Sequence, residues 1–422
     1  MPIERTPLDF ASASGVREVL ERKSFDITTF LSVLLLIGAG FLAIYSATYA
    51  ANMNNRFGQQ LLFAAGGIAG MIVMAMIPVR WFQAVAYPLY GLSLALLVFV
   101  AVDGKLVYGH RSWIGIGSFQ FQPSEIAKLA TIFTVGAFLN KGRDLSKIAN
   151  VLIVCAIVVI PTALILKEPD PGTAVIFAGL LIITLLWSGA DLFVLAAVVI
   201  PALVAVLSLF GQTPTVVSVL VGGAILFFVF RRNLVVTVLT FGVIIAIAFS
   251  TNFIYEHLHQ YQRNRVQVLL NPELDPLGAG YNVIQTRMAI GSGGILGKGY
   301  LKGTQTQLRY VPKQWTDFII SVPSEEFGFV GAVVILLLYL FVIFRGVAIA
   351  SSVRSIFSSV VAIGIAGIWF LHVTVNIGMA LGLMPVIGIP LPFMSYGGSA
   401  LLTNLLMAGI LMNLYRNRKV LF

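Results

Sequence analysis

Apolar stretches of about 18 to 22 residues recur from Ile27 to Tyr415 between short polar connections, and this repetition constrains the fold more than any other feature of the chain. A helix of about 20 apolar residues crosses the ~30 Å hydrocarbon core of a bilayer. Lipid offers no hydrogen bonds, so a crossing segment must satisfy its own peptide groups, and a helix does so unaided. The pattern predicts an all-α polytopic membrane protein. Its helices are expected at approximately Ile27–Ala47, Gly58–Ile77, Phe82–Val102, Pro123–Leu139, Ala149–Leu166, Thr173–Trp187, Leu192–Phe210, Val216–Phe230, Leu234–Phe253, Glu326–Phe344, Ile356–Met379 and Ser399–Tyr415. That makes about twelve, with ten as the alternative, because Leu192–Phe253 is divided only at Gly211–Pro214 and Arg231–Asn233. Composition agrees: 58% of residues are hydrophobic and 10% charged, where a soluble domain carries roughly 25% charged residues.

Basic connections stay on the cytoplasmic side of a membrane. With the N-terminus inside, Arg22, Lys23, Arg80, Lys141, Arg143, Arg231, Arg345 and Arg416 fall inside, and the short outside connections hold only Arg56, Lys105, Arg111 and Lys167. Both termini are therefore expected in the cytoplasm. The net charge of +10 suits an anionic inner leaflet and membrane lipids as partners, and it makes no case for nucleic acid. Residues 1–25 read as a cytoplasmic tail, in which Gly15–Lys23 has the spacing of an interfacial helix or of a solvated one. Residues 26–422 read as one transmembrane domain. The first apolar run lacks a small-residue cleavage site and is expected to stay as an anchor. The lone Cys155 rules out an internal disulfide and reads as an inert thiol in an apolar run.

The pattern breaks once at length, from Glu256 to about Ser324, on what this topology makes the extracytoplasmic face. Arg263, Arg265, Arg287, Lys298, Lys302, Arg309 and Lys313 lie there against few acids. Cations of this kind suit phosphate groups presented at a membrane surface, although long loops also escape the positive-inside rule without any function. Gly278–Gly299 joins an amphipathic stretch, Tyr281–Ile290, to a cluster of glycines, as a re-entrant turn or a close approach to a ligand would require. A nucleotide P-loop is disfavoured, since Ser292 stands at its first glycine position and Gly299 at its last. Asp317, in Trp315-Thr316-Asp317-Phe318, precedes an apolar helix opened by Glu325-Glu326. Partial desolvation there would raise its pKa while Lys313 favours its ionised form, which is how a general base is tuned; a cap at a helix start is the plainer alternative.

A second constellation opens the fourth helix, with Arg111-Ser112-Trp113 followed by Gln122-Pro123-Ser124-Glu125-Ile126-Ala127-Lys128. Glu125 and Lys128 are three apart and share a helix face. Buried in the membrane they mark a functional site; at the interface they are a snorkelling pair. The last outside connection, Met384–Ser399, is apolar yet broken by Pro385, Pro390, Pro392 and glycines, so it is expected to line a wall of protein or of a wet cavity. His110, His257, His259 and His372 have no zinc-ligand spacing.

Together these segments resemble the SEDS family of shape, elongation, division and sporulation proteins, which includes RodA and FtsW. The likeness runs through Gln122–Lys128, Glu168-Pro-Asp-Pro-Gly-Thr-Ala174, Tyr261–Val266, Asp275–Tyr281, Ala289–Gly294, Thr316–Ile319, Glu325-Glu326, Pro390–Pro392 and Ser395–Ser399 in order over about two thirds of the chain. Gly303–Leu308 looks like the RodA, or elongation, branch. The chain departs in two ways: two hydrophobic segments beyond the family's ten-helix core, within Leu192–Phe253, and Trp315 and Pro171 where relatives often carry histidine and leucine.

The resemblance implies a peptidoglycan glycosyltransferase that joins lipid II units on the outer face of the cytoplasmic membrane by one inverting displacement, releasing undecaprenyl diphosphate. It places the catalytic base at Asp317 and supporting residues at Arg111, Trp113, Glu125, Lys128, Glu325 and Glu326. Arg263, Arg265, Gln285, Lys298, Lys302, Thr316 and Ser395 are the expected substrate-binding residues. A class B penicillin-binding protein, a transpeptidase, is the implied partner. No cofactor is certain; a divalent metal, Mg or Mn, stays open, with Asp317 or Glu325 able to supply only part of a ligand set. The rival readings are a transporter that flips lipid-linked precursors and a noncatalytic scaffold.

Overall fold

The computed structural model describes residues 25–49, 54–107, 110–116, 119–230, 234–257 and 279–418. Four helices come first, α1 (Ile27–Tyr49), α2 (Asn54–Met76), α3 (Val79–Ala84) and α4 (Ala86–Asp103), followed by strands β1 (Lys105–Val107), β2 (His110–Ile116) and β3 (Phe119–Phe121). Next are α5 (Pro123–Leu139), α6 (Ile148–Lys167), α7 (Pro171–Trp187), α8 (Leu192–Ser208), α9 (Gln212–Ala224, running into a π turn at Ile225–Val229) and α10 (Leu234–His257). The last part holds α11 (Ala279–Ser292), the short α12 (Thr304–Gln307) and α13 (Ser321–Glu326), then α14 (Gly328–Ser352), α15 (Ile356–Ala380) and α16 (Gly398–Arg416).

Nine described helices are long and apolar enough to cross a membrane: α1, α2, α4, α6, α9 with its π turn, α10, α14, α15 and α16. The 17-residue helices α5, α7 and α8 stand at the remaining places where the apolar pattern expects a helix. Among the described residues the all-α expectation meets one exception, because β1, β2 and β3 form a small antiparallel sheet with Lys105 opposite Trp113 and Ile114 opposite Phe121. This stretch is too short for another crossing, and Val107, Trp113, Ile114, Ile116, Phe119 and Phe121 are residues that suit a ladder. The sheet leads directly into α5 and its Glu125. In the long connection, α11 covers the amphipathic stretch expected at Tyr281–Ile290.

Burial and packing partners together mark α15 as central. Within α15, 78% of the spanning window is buried, against 17% in α10. Helices α5, α7, α14 and α16 surround α15. At Gly409 a Cβ would lie 2.2 Å from the Met71 carbonyl oxygen, so only glycine lets α16 and α2 approach so closely. Helices α8, α9 and α10 form a satellite bundle with its own small core of Phe193, Val204, Leu226, Ile244 and Ala248, attached to the main bundle through α7 and α8. The two additional apolar segments expected within Leu192–Phe253 thus lie away from the central helix.

At one end of the bundle, Asp26 accepts bonds from Thr28 Oγ1 (2.7 Å) and Thr29 Oγ1 (2.6 Å) and pairs with Arg345 on α14 at 3.0 Å. The opposite end holds α13, the glycine-rich turn before it and the 384–397 segment.

Candidate active site at one end of the helix bundle

The three residues around the expected base are held by their backbone. Tyr396 N–H donates to the Trp315 carbonyl at 2.8 Å, Ser395 Oγ to the Thr316 carbonyl at 2.6 Å, and Asn376 Nδ2 to the Asp317 carbonyl at 2.8 Å. Arg56 lies over the Trp315 ring, 4.4 Å from its centroid. Ser395 Oγ also accepts from Leu391 N–H at 2.8 Å, so its hydroxyl is engaged on both sides within the protein. The Asp317 side chain is half-buried, and its Oδ2 would be 3.7 Å from a Cβ on Gly388. The apolar segment at 384–397 is therefore the wall beside Asp317.

That wall is irregular backbone among helices, and each of its carbonyls needs a donor. Tyr339 of α14 donates to the Pro392 carbonyl. His372 Nδ1 is 3.1 Å from the Pro390 carbonyl, and Asn376 Nδ2 donates to Ile389 at 2.7 Å. His372 is also 3.2 Å through Nε2 from Lys128 Nζ, which pairs with Glu125 Oε1 at 3.0 Å. An ammonium can only donate, so Nε2 accepts and Nδ1 carries the hydrogen given to Pro390. The side chains of Lys128 and Glu125 are 2% and 5% exposed, which places the pair inside the protein.

Beside this wall stands the start of α7. Asp170 caps it, accepting from Thr173 N–H at 3.0 Å and Thr173 Oγ1 at 2.8 Å. Gln122 Nε2 donates to Asp170 Oδ2 at 3.1 Å, and Gln122 N–H to Ser399 Oγ at 3.3 Å, tying α5, α7 and α16 together. A Cβ on Gly172 would meet the Ile387 carbonyl at 2.7 Å, so Asp170 and Asp317 flank the same turn of chain. Glu168 is 1% exposed, and among the described residues neither carboxylate oxygen has a hydrogen-bond partner. Burial pushes its carboxyl up to about 8, and the neighbouring Asp170 adds to the shift. Ser112 on β2 reaches the Glu168 carbonyl at 3.3 Å, which sets Trp113 next to this corner.

The glycine-rich turn is stapled to α13 and α14. Lys298 N–H and Gly299 N–H donate to Glu325 and Glu326 carbonyls at 3.0 and 2.9 Å, and Phe329 and Val330 N–H donate back to Gly294 and Ile295. Gly297, at φ +80°, has a Cβ position only 2.1 Å from the Glu326 carbonyl oxygen, so this staple requires glycine. Glu325 accepts from Lys298 Nζ (2.8 Å), Gln305 N–H (2.9 Å), Thr306 N–H (2.9 Å) and Thr306 Oγ1 (2.8 Å). Burial alone would raise its pKa, but these bonds outweigh it and hold the carboxyl below its usual range. Glu326 accepts from Ser46 and from Leu301 N–H, and burial holds its carboxyl above the usual range.

Of the expected residues, Asp317, Thr316 and Ser395 come together directly, and Glu125 and Lys128 join them through His372 and the wall. Lys298 is committed to Glu325 with about a quarter of its side chain exposed (26%), while Lys302 is exposed. Gln285 lies half-buried on α11, and Trp113 and Arg111 lie on β2. Arg263 and Arg265 fall outside the described residues. The sequence reading weighs His372 only as a zinc ligand and does not single out Asn376, although their signal is legible: two polar side chains one turn apart in an apolar helix are functional candidates by default. With both oxygens engaged by protein donors, Glu325 does not fit a role as a metal ligand, and among the described residues no three His, Cys, Asp or Glu side chains gather into a metal site.

The family described as "Cell cycle protein", the FtsW, RodA and SpoVE group, matches at residues 26–215 and 202–420, and the chain belongs to this family. The peptidoglycan glycosyltransferase MrdB of Escherichia coli K12 is 37% identical over 403 residues, covering 95% of this chain and 96% of that protein. The peptidoglycan glycosyltransferase RodA of Treponema pallidum is 33% identical, covering 92% and 97%. Among solved structures, a chain of a peptidoglycan synthase complex that coordinates polymerization and crosslinking matches with a TM-score of 0.72 at 28% identity, covering 94% of this chain and 99% of that one. RodA of Thermus thermophilus matches at 0.64 and 25%, covering 94% and 98%.

Proposed function

We propose that the chain is an elongation-type peptidoglycan glycosyltransferase that polymerises lipid II, with Asp317 as its general base. The observation that carries the assignment to Asp317 is its placement: backbone fixed by Asn376 and its neighbours, carboxylate half-buried against the Gly388 wall. A base held this way keeps its geometry while substrates come and go. The acceptor sugar 4-hydroxyl gives its proton to Asp317 as its oxygen attacks C1 of the donor. The bond from C1 to undecaprenyl diphosphate breaks on the opposite face, so an α-linked donor yields a β-linked product. Arg263, Arg265 and Lys302 offset the charge gathering on the leaving diphosphate. Lys298 shapes the same turn while neutralising Glu325.

The reaction takes place at the outer face of the cytoplasmic membrane, with both chain termini inside and a class B penicillin-binding protein crosslinking the product. The solved peptidoglycan synthase complex supports such a partner. A precursor flippase is not favoured: the relatives carry the name of a glycosyltransferase, and the polar clusters around Asp317 lie toward one end of the bundle. The test is to supply purified wild type and Asp317→Asn, each with the cognate transpeptidase, with lipid II and to resolve the products on a gel. Polymer from wild type alone is expected. Polymer from both removes Asp317 from the mechanism, and polymer from neither, with the partner bound, argues for a transporter.

A further inference from the structure

We propose that His372 and Asn376 are positioning residues for glycosyl transfer: from one face of α15 they lock the Ile389-Pro390 wall against Asp317 and connect the buried Glu125–Lys128 pair to the base. The inference rests on Asp317 acting as that base.

The two residues sit one helical turn apart, 4% and 0% exposed, in a spanning helix whose apolar window is 78% buried. They hold consecutive carbonyls, Pro390 through His372 and Ile389 through Asn376. Both hydrogens of the Asn376 amide are used, and they reach two separate parts of the chain, Ile389 in the wall and Asp317 itself. One planar amide thereby sets the spacing between the carboxylate's backbone and the wall it faces. His372 supplies the second constraint. Its ring bridges Lys128 Nζ and the Pro390 carbonyl, so the ammonium that neutralises Glu125 also orients the imidazole that holds the wall. A path thus runs from Glu125 through Lys128 and His372 to the Pro390 carbonyl, along the backbone of Pro390 to the Ile389 carbonyl, and through Asn376 to Asp317. Trp315 and Thr316 keep their own bonds to Tyr396 and Ser395, so loss of either α15 residue shifts the base without releasing the segment.

A misplacement of about 1 Å at a reacting group lowers a rate by about 100-fold. The experiment measures kcat, KM for lipid II and thermal midpoint for wild type, Asp317→Asn, His372→Leu, His372→Gln and Asn376→Leu, each bound to the transpeptidase. A glutamine at 372 can accept from Lys128 through its carbonyl and donate to Pro390 through its amide, restoring both bonds. The expected result is a fall in kcat of about 100-fold for both leucine variants, with KM within about threefold of wild type and recovery of most of kcat in His372→Gln. Wild-type kcat in the leucine variants overturns the proposal, as does a glutamine variant as slow as the leucine one, or a loss carried mainly by KM. Activity retained by Asp317→Asn instead overturns the assignment of the base, which separates that failure from this one.

Discussion

Lys128→Met tests whether the ion pair inside the bundle is held together as the structure places it. The change removes the ammonium and keeps the apolar stem. Glu125 then loses its one partner among the described residues, since its Oε2 has none, and His372 loses the donor to Nε2. Removing one member of a buried pair costs about 3–5 kcal/mol, because the remaining charge must stay unpaired or take up a proton. Replacing both members by neutral groups is far milder, so Glu125→Gln with Lys128→Met should return to within about 1–2 kcal/mol of wild type. At about 2 °C per kcal/mol, the single variant melts roughly 6–10 °C early and the double variant recovers most of that. The assay is thermal unfolding in detergent at fixed scan rate, followed by tryptophan fluorescence, with polymerisation of lipid II measured on the same samples. The double variant is expected to be stable and inactive, because His372 still lacks its donor. A single variant as stable as wild type, or a double variant as unstable as the single, refutes the reasoning.

Glu168→Gln should stabilise the protein at alkaline pH. The folded carboxyl is raised from 4.5 to about 8, so its contribution is whole below about pH 4.5 and lost as pH rises through 8. At about 1.4 kcal/mol per unit the difference is on the order of 4–5 kcal/mol, and thermal scans at about pH 4 and pH 9 should show equal midpoints at the first and a more stable variant at the second. Gly297→Ala puts a Cβ into the Glu326 carbonyl at a positive φ; a loss above about 2 kcal/mol and faster limited proteolysis around 294–303 are expected, and an unchanged digestion pattern counts against the staple. Asp26→Asn weakens the tie to Arg345. Burial raises the Asp26 pKa, but Thr29, Thr28 and Arg345 outweigh it, so the tie stabilises above the ordinary carboxylate range and is lost as pH falls through the lowered folded value. The variant should lose about 1.5–3 kcal/mol at pH 7 and converge on wild type in acid, as melting curves across pH would show.

The order of helices was legible because membrane thickness fixes the length of an apolar run, and that periodicity survives without knowledge of packing. The sheet at 105–121 was not, since three short strands carry less signal than one turn of apolar helix in this context. Asp317, Thr316 and the Glu125–Lys128 pair were legible as charge or polarity against an apolar background. The roles of Ser395 and Glu325 were harder to read, because a serine or glutamate engaged by the protein's own backbone has the same sequence as one free to meet a substrate. Only the bonds to Thr316, Leu391, Gln305 and Thr306 distinguish the two. His372 and Asn376 carried a signal that metal-ligand spacing is the wrong question to detect.

The wall beside Asp317 links stability to function through one physical demand. Proline and glycine keep 384–397 from forming a helix, which leaves carbonyls among apolar helices that must find donors. Tyr339, His372 and Asn376 provide them, and each comes from a long helix that is itself fixed by packing. Satisfying the irregular backbone therefore also fixes its position to within a hydrogen bond, and the Asp317 carbonyl shares a donor with that backbone. Substitutions that relieve the demand by making the segment helical would remove the reason for the donors and, with it, the constraint that places the carboxylate. A site built on irregular backbone gains its precision here from the helices behind it, which is why the side chains that matter most for placing Asp317 need not touch the substrate.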